Sequence, residues 1–252
     1  MVFSAPDALS TVLFVALCGV VIALFLAGVW RSASVVDAST AGRKTLFAAV
    51  GLLVWLSLLA TVMPRFAAAQ PMPRLPLGFG AIILVSIAVG FSPLGRALAS
   101  NLPLVALVAF QGFRLPLELI LHRWAKEGAI PETMTWTGQN WDIATGVVAL
   151  VVAVFAPRSR VAAWIANVVG IVLLINVGRV AMMSSPLPFA WPVKPPLLLA
   201  FHLPYALIVP TCVGGAAFGH VVLTRALCRQ RVDAPSKPLA TNASTRSSPD
   251  RG

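Results

Sequence analysis

The sequence predicts an all-α, polytopic transmembrane helix bundle, and three observations carry that expectation. The 252 residues are 58% hydrophobic and only 11% charged, whereas about a quarter of the residues of a soluble domain carry charge. The apolar residues gather into runs of about 20, the length a helix rising 1.5 Å per residue needs to cross a hydrocarbon core of about 30 Å. Those runs do not alternate apolar with polar residues, as the strands of a membrane barrel would.

In chain order, spans are expected near residues 8–30, 45–63, 77–95, 102–124, 142–156, 161–183 and 197–224, about seven crossings in a domain of residues 1–231. The first reads as a retained helix. No lysine or arginine precedes it, and its apolar run exceeds the roughly 7 to 15 residues of a signal-peptide core. The third ends irregularly at Pro93 and Gly95, with Arg96 close behind, and the fifth is the shortest. Pro204 and Pro210 interrupt the seventh, where missing amide protons free carbonyls to line a cavity. Residues 232–252, "VDAPSKPLATNASTRSSPDRG", have little to bury and are expected to be a disordered cytoplasmic tail.

Basic residues are retained on the cytoplasmic side of a membrane. With the amino terminus outside, the inner segments hold Arg31, Arg43, Lys44, Arg96, Arg158, Arg160, Arg225, Arg229, Arg231, Lys237, Arg246 and Arg251. The outer segments hold Arg65, Arg74, Arg123, Lys126, Arg179 and Lys194. This asymmetry predicts the amino terminus outside and the carboxyl terminus inside. The net charge of +11 is scattered over loops and tail, so the lipid bilayer rather than nucleic acid is the expected partner. The three cysteines, Cys18, Cys212 and Cys228, lack a paired spacing that suggests a redox or metal motif.

Inside the fourth run lies "FQGFRLPLELILHRW", residues 110–124, which carries ionisable groups where lipid-facing residues would be apolar. At 100° per residue, Gln111, Arg114, Glu118 and His122 fall on one narrow face of a helix. A one-sided polar stripe looks at protein or water rather than lipid. A charge at the bilayer centre costs about 2.5 to 3.5 kcal/mol on insertion scales, so Arg114 and Glu118, at i and i+4, are expected to pair. Pro116 removes the donor for the Gly112 carbonyl and is expected to disturb the helix there. Asp142 and Thr145 at the start of the fifth span, Asn176 and Arg179 near the end of the sixth, and His202 and Tyr205 at the start of the seventh collect towards the same outer level. Trp124, Trp136, Trp141 and Trp191 suit an outer interfacial belt, and Asn140 or Asp142 can cap the following helix.

The segments "QGFRLPLELILHR" and "IPETMTWTGQNWDIATG", spanning residues 111–146, resemble a recurring pattern in uncharacterised multi-pass membrane proteins of bacteria. The resemblance implies a bacterial inner-membrane setting and brings no established activity with it.

Three functions fit these residues. The first is binding or transport of a small solute at an outward-facing polar site of Gln111, Arg114, Glu118, His122, Asp142, Asn176, Arg179, His202 and Tyr205, with the arginines drawing an anionic group and Glu118 and His122 handling a proton. The second is a redox protein or enzyme, with Glu118, His122 and His202 around a metal or with His122 and His202 as axial ligands of a haem. The third is a structural or assembly subunit, whose polar face or small residues Gly214, Gly215, Ala216, Ala217 and Gly219 meet partner membrane helices. His220, about 27 Å along a continuous helix from His202, is expected at the inner interface, outside any such site. A retinal protein is excluded, because Lys44, Lys126, Lys194 and Lys237 all fall outside the expected spans.

Overall fold

A computed structural model describes residues 3–68 and 75–232. The described residues are helical, with no strand among them. Five helical stretches are long and apolar enough to cross a membrane, and a sixth crossing results if one bent pair of helices is counted together. About seven spans are expected; the difference lies in the third and fifth, and the seventh, though long enough, starts irregularly.

Helix α1 (Ala8–Val36) starts at Asp7, whose carboxylate accepts the Ser10 amide at 2.6 Å. It ends at the extended residue Asp37, which at once takes the Ser39 amide and hydroxyl and so opens α2 (Ala38–Ala68). A single residue therefore turns one crossing into the next. Helix α3 (Leu75–Phe91) stops at Ser92, and Pro93 occupies the first turn of α4 (Pro93–Asn101), a position where the missing amide proton costs nothing. The two helices are bent by 59°, so the expected span 77–95 is interrupted at Ser92.

The fourth span is continuous from Leu104 to Lys126 but not uniform. It comprises α5 (Leu104–Ala109), a 3-10 turn over Phe110–Phe113 and α6 (Arg114–Lys126). The tightened turn sits where Pro116 deprives Gly112 of its helical donor, as anticipated. Helix α6 closes with Gly128 at φ 72°: the Ala129 amide reaches back to the Trp124 carbonyl at 2.9 Å and the Gly128 amide to that of Ala125 at 3.0 Å.

After this cap the chain does not leave the bundle. Ala129, Ile130, Met134, Thr135 and Asn140 are all buried, so the connection over 127–142 folds back among the helices. That inserted loop explains why α7 (Ile143–Phe155) has only 13 residues and rises about 20 Å. Helix α8 (Arg160–Ser184) begins on a Ser159 cap. The expected seventh span, 197–224, starts instead as 3-10 turns over Leu199–Phe201 and Tyr205–Leu207, followed by a π-helical stretch over Ile208–Val213 that holds Pro210. Regular helix resumes only in α9 (Gly214–Val232). The expected tail therefore lies, from residue 233 on, outside the described residues, as does Arg74.

Large apolar side chains such as Leu53, Phe155 and Ile175 are exposed while Arg114, Glu118 and Asp142 are buried. This is the inverse of a soluble domain and the arrangement of a membrane protein. Trp124 is wholly buried and donates to the Ser10 hydroxyl at 2.9 Å, so it belongs to the core rather than to an interfacial belt. The small residues of α9 serve internal packing. A Cβ on Gly214 would meet Ser86 and one on Gly219 would meet Gln111, while Ala216 lies in the main core cluster.

Candidate functional site

Arg114 stands near the middle of its span, about 15 Å along the helix from Leu104 and about 18 Å from Lys126. Its side chain is 2% exposed and is held by three partners. Nε donates to Asp142 Oδ2 at 2.5 Å, while Nη1 donates to the Gly170 carbonyl at 3.2 Å and meets His220 Nε2 at 3.2 Å. The expected Arg114–Glu118 pair is thus replaced by Arg114–Asp142. At i and i+4 on one helix, arginine before glutamate is the weaker order; the inserted loop delivers Asp142 from a separate element.

His220 is the largest correction. It is buried against Arg114 rather than placed at the inner interface. The expectation measured from His202 along a continuous helix, but that segment is broken, and Arg114 itself lies at mid-depth, within reach of α9. Hydrogen-bond chemistry then dictates its tautomer. A guanidinium has no acceptor, so Nε2 of His220 accepts and Nδ1 carries the proton. Nδ1 donates to Asn167 Oδ1 at 2.9 Å, Asn167 Nδ2 donates to Thr224 Oγ1 at 2.7 Å, and the Thr224 hydroxyl returns to the His220 carbonyl at 2.7 Å. Gly170 is required beside this ring, since a Cβ there would come within 2.3 Å of His220 Cε1.

Asp142 is satisfied on its other oxygen by the Thr145 hydroxyl at 2.9 Å, and its amide reaches Asn140 Oδ1 at 3.3 Å. Of the two expected helix caps, Asn140 is the one whose side chain takes an amide; the Asp142 side chain makes no capping bond. Asn140 also connects to Glu118, donating from Nδ2 to Oε1 at 2.9 Å and to the Met134 carbonyl at 3.2 Å. Glu118 is 1% exposed. Among the described residues its Oε2 has no partner, and neither has Nη2 of Arg114.

Arg114, Glu118 and Asp142 line a cavity of about 210 Å³ whose walls are apolar apart from these three and Ser185: Phe113 of the 3-10 turn, Leu117 and Leu121 of α6, Phe79 and Ile83 of α3, Leu174 and Val177 of α8, with Phe201, Cys212 and Ala216. Met182 of α8, on its wall, is 41% exposed, so the cavity borders the surface of the bundle there. Cys212 on its wall shares a core cluster with Cys18 of α1.

The remaining candidates lie elsewhere. Gln111 is buried against α9, donating to the Ala216 carbonyl at 3.3 Å, with Oε1 unpaired. His122 stacks on Trp136 with ring centroids 4.1 Å apart, and its Nδ1 is buried without a partner. Asn176 and Arg179 bind Gln139 in a separate cluster, with Arg179 also over the Trp191 ring. His202 stacks on Phe3 at 4.0 Å, and the Tyr205 hydroxyl meets that of Thr11 at 2.9 Å. The expected metal set of Glu118, His122 and His202 is not assembled. Among the described residues no group of three or more His, Cys, Asp or Glu is positioned to hold a metal ion, and the imidazoles expected as axial ligands are committed to two different stacks.

Asn167, His220 and Thr224 were absent from the sequence-derived site. The signal that points to them is depth: Asn167 and His220, like Arg114, are polar residues in the interior of long apolar helices, where each needs a partner.

No curated protein and no solved structure matches the chain. A family match covers residues 71–228, which takes in α3 through most of α9 and every residue of the cavity's polar end, and leaves α1 and α2 outside. This network and cavity lie, accordingly, in a chain that belongs to the family described as Domain of unknown function (DUF8737).

Proposed function

We propose that the chain is a seven-crossing protein of the bacterial inner membrane, amino terminus outside, that binds a small, largely apolar solute with one polar end and moves it through the cavity at Glu118. The orientation rests on the distribution of lysine and arginine, and the bacterial setting on the resemblance over residues 111–146. In this reading the broken pair α3–α4 is one crossing, and α7 is another, completed on the outer side by the inserted loop.

The observation that carries the proposal is the pair of unsatisfied atoms, Glu118 Oε2 and Arg114 Nη2, buried at one end of an apolar cavity. An unmade hydrogen bond on a buried polar group costs about 1 to 3 kcal/mol, more when the group is charged. A solute whose polar end bonds to Glu118 Oε2 recovers that atom's share of the cost. The volume supports a small guest, since an apolar cavity of about 150 Å³ already accepts benzene. Entry from the membrane at Met182 suits a solute that partitions into lipid. The bonded set Arg114, Asp142, His220 and Asn167 serves as scaffold, and Glu118 meets the solute.

The test is thermal unfolding of the purified protein with six-carbon solutes differing only in their polar end, wild type beside Gly178→Phe. Gly178 lines the cavity, and a Cβ there would have nothing within 4 Å, so a larger side chain has open space beside the cavity to fill. Stabilisation of wild type that disappears in Gly178→Phe supports the site. If no solute raises the midpoint of wild type, or the filled variant responds equally, the proposal is wrong.

A further inference from the structure

Resting on the cavity reading, a more specific assignment follows from counting charges at its polar end. We infer that the solute is an organic cation, an amine protonated on nitrogen with an apolar body, and that it exchanges with a proton on Glu118.

One guanidinium faces two carboxyl groups. The charge of Arg114 is matched by Asp142, its Nη1 goes to Gly170 and His220, and its Nη2 is buried without a partner among the described residues. Glu118, which lines the cavity, receives a single neutral amide, from Asn140, and its second oxygen is buried with no partner among the described residues. The ionisable groups that face Glu118 are Arg114 on its own helix, Asp142 at the start of α7 and the Cys212 thiol on the π-helical stretch; those parts of α3 and α8 that line the cavity contribute none. An ionised Glu118 therefore leaves this end one negative charge in excess. A buried charge without a counter-ion is strongly unfavourable, so Glu118 holds either a proton or a cation. Beside protonated Glu118 the end is neutral, and an anionic solute would add one uncompensated negative charge where a cation on ionised Glu118 adds none, which disfavours the class that the arginines alone suggested. Phe79, Phe113 and Phe201 on the walls offer ring faces and edges to the carbons next to the nitrogen.

The exchange balances in atoms and charge. Protonated Glu118 gives up its proton, the ammonium nitrogen donates an N–H hydrogen bond to Oε2, and one proton leaves for each cation bound. No oxidant, reductant or co-reactant is involved.

The experiment is titration calorimetry of the whole protein in lipid nanodiscs with hexylammonium, hexanol and hexanoate. It is run across the pH range in which Glu118 exchanges its proton and in two buffers of different ionisation enthalpy, so that released protons are counted. Hexylammonium is expected to bind more tightly than hexanol or hexanoate, to release one proton, and to gain about tenfold in affinity per pH unit while Glu118 is protonated. In Glu118→Gln the proton release disappears and the preference for hexylammonium over hexanol is lost. Glu118→Asp keeps both, which separates loss of the carboxyl group from loss of the fold. Hexanoate binding more tightly than hexylammonium, ammonium binding without proton release, or an unchanged preference in Glu118→Gln each overturns the assignment. If hexanol or hexanoate binds and hexylammonium does not, the cation assignment fails while the cavity reading survives; if none of the three binds, both fail.

Discussion

Helix α6 carries two arginines, each close to two carboxylates, and burial separates their roles. Arg123, near the carboxyl-terminal end of the helix, bonds to Asp7 and, at 2.8 Å, to Glu127, with its side chain 47% exposed. Arg114, in the middle of the span, bonds to Asp142 with both side chains almost wholly buried. Water screens the first group, so either partner can be lost with little consequence. The second group lies where an unpaired charge has nothing to solvate it, so its partner becomes part of the fold. The same pair of residue types acts as a surface clasp at one end of the helix and as a structural joint at its centre.

The largest effect is expected from breaking that joint. Asp142→Ala leaves Arg114 buried without its counter-charge and should lower stability by about 3 to 5 kcal/mol, read as a fall in the thermal or denaturant midpoint of the purified protein. A variant as stable as wild type would mean that water reaches Arg114 and that the two ends of the helix do not differ. Next comes His220→Ala, which removes one acceptor from Arg114 and the donor to Asn167. A loss of about 1 to 3 kcal/mol is expected. Nitrogen-15 spectra of His220 check the same bond independently, and a proton found on Nε2 rather than Nδ1 would contradict the network.

Glu118→Gln should change stability by less than about 1 kcal/mol, because the amide keeps an acceptor for Asn140 and carries no charge. Were the loss as large as for Asp142→Ala, Glu118 would share Arg114, and the division between scaffold and solute contact would collapse. The smallest effect belongs to the clasp. Arg123→Gln should leave the midpoint near neutral pH and moderate salt unchanged. Acid should reveal it instead. The Ser10 amide, followed by Arg123, holds the Asp7 carboxyl below the ordinary carboxylate range. Its folded value lies below its unfolded one, so its contribution is complete above about pH 4 and is lost as pH falls further. Wild type should therefore lose more of its midpoint than Asp7→Asn on acidification below about pH 4, and equal losses would remove Asp7 from the account.

Much of the fold was legible because lipid imposes a length rule. Runs of apolar residues marked α1, α2, the Leu104–Lys126 span and α8 to within a few residues or a turn or two, and the irregularity at Pro93 marked the bend after α3. The face of α6 was legible too, since Arg114 and Glu118 share one side and both are buried. Their partners were not. Helical spacing ranks neighbours on the same helix, and so it favoured Arg114–Glu118 over a carboxylate 28 residues away in sequence. His220 was misplaced because depth had been measured along a regular helix that the π-helical stretch and the turns before it interrupt.

The sequence by itself determined that this chain is helical, rich in spans that suit a membrane, and that one helix turns charged residues inward, because composition and periodicity are local properties of the chain. Only the tertiary structure decided which charge meets which. The loop over 127–142 folds into the bundle, shortens α7 and sets Asp142 and Asn140 between Arg114 and Glu118. In a medium without water a buried charge must take its partner from whichever element packs beside it, and packing between distant segments is not written in the spacing of either one.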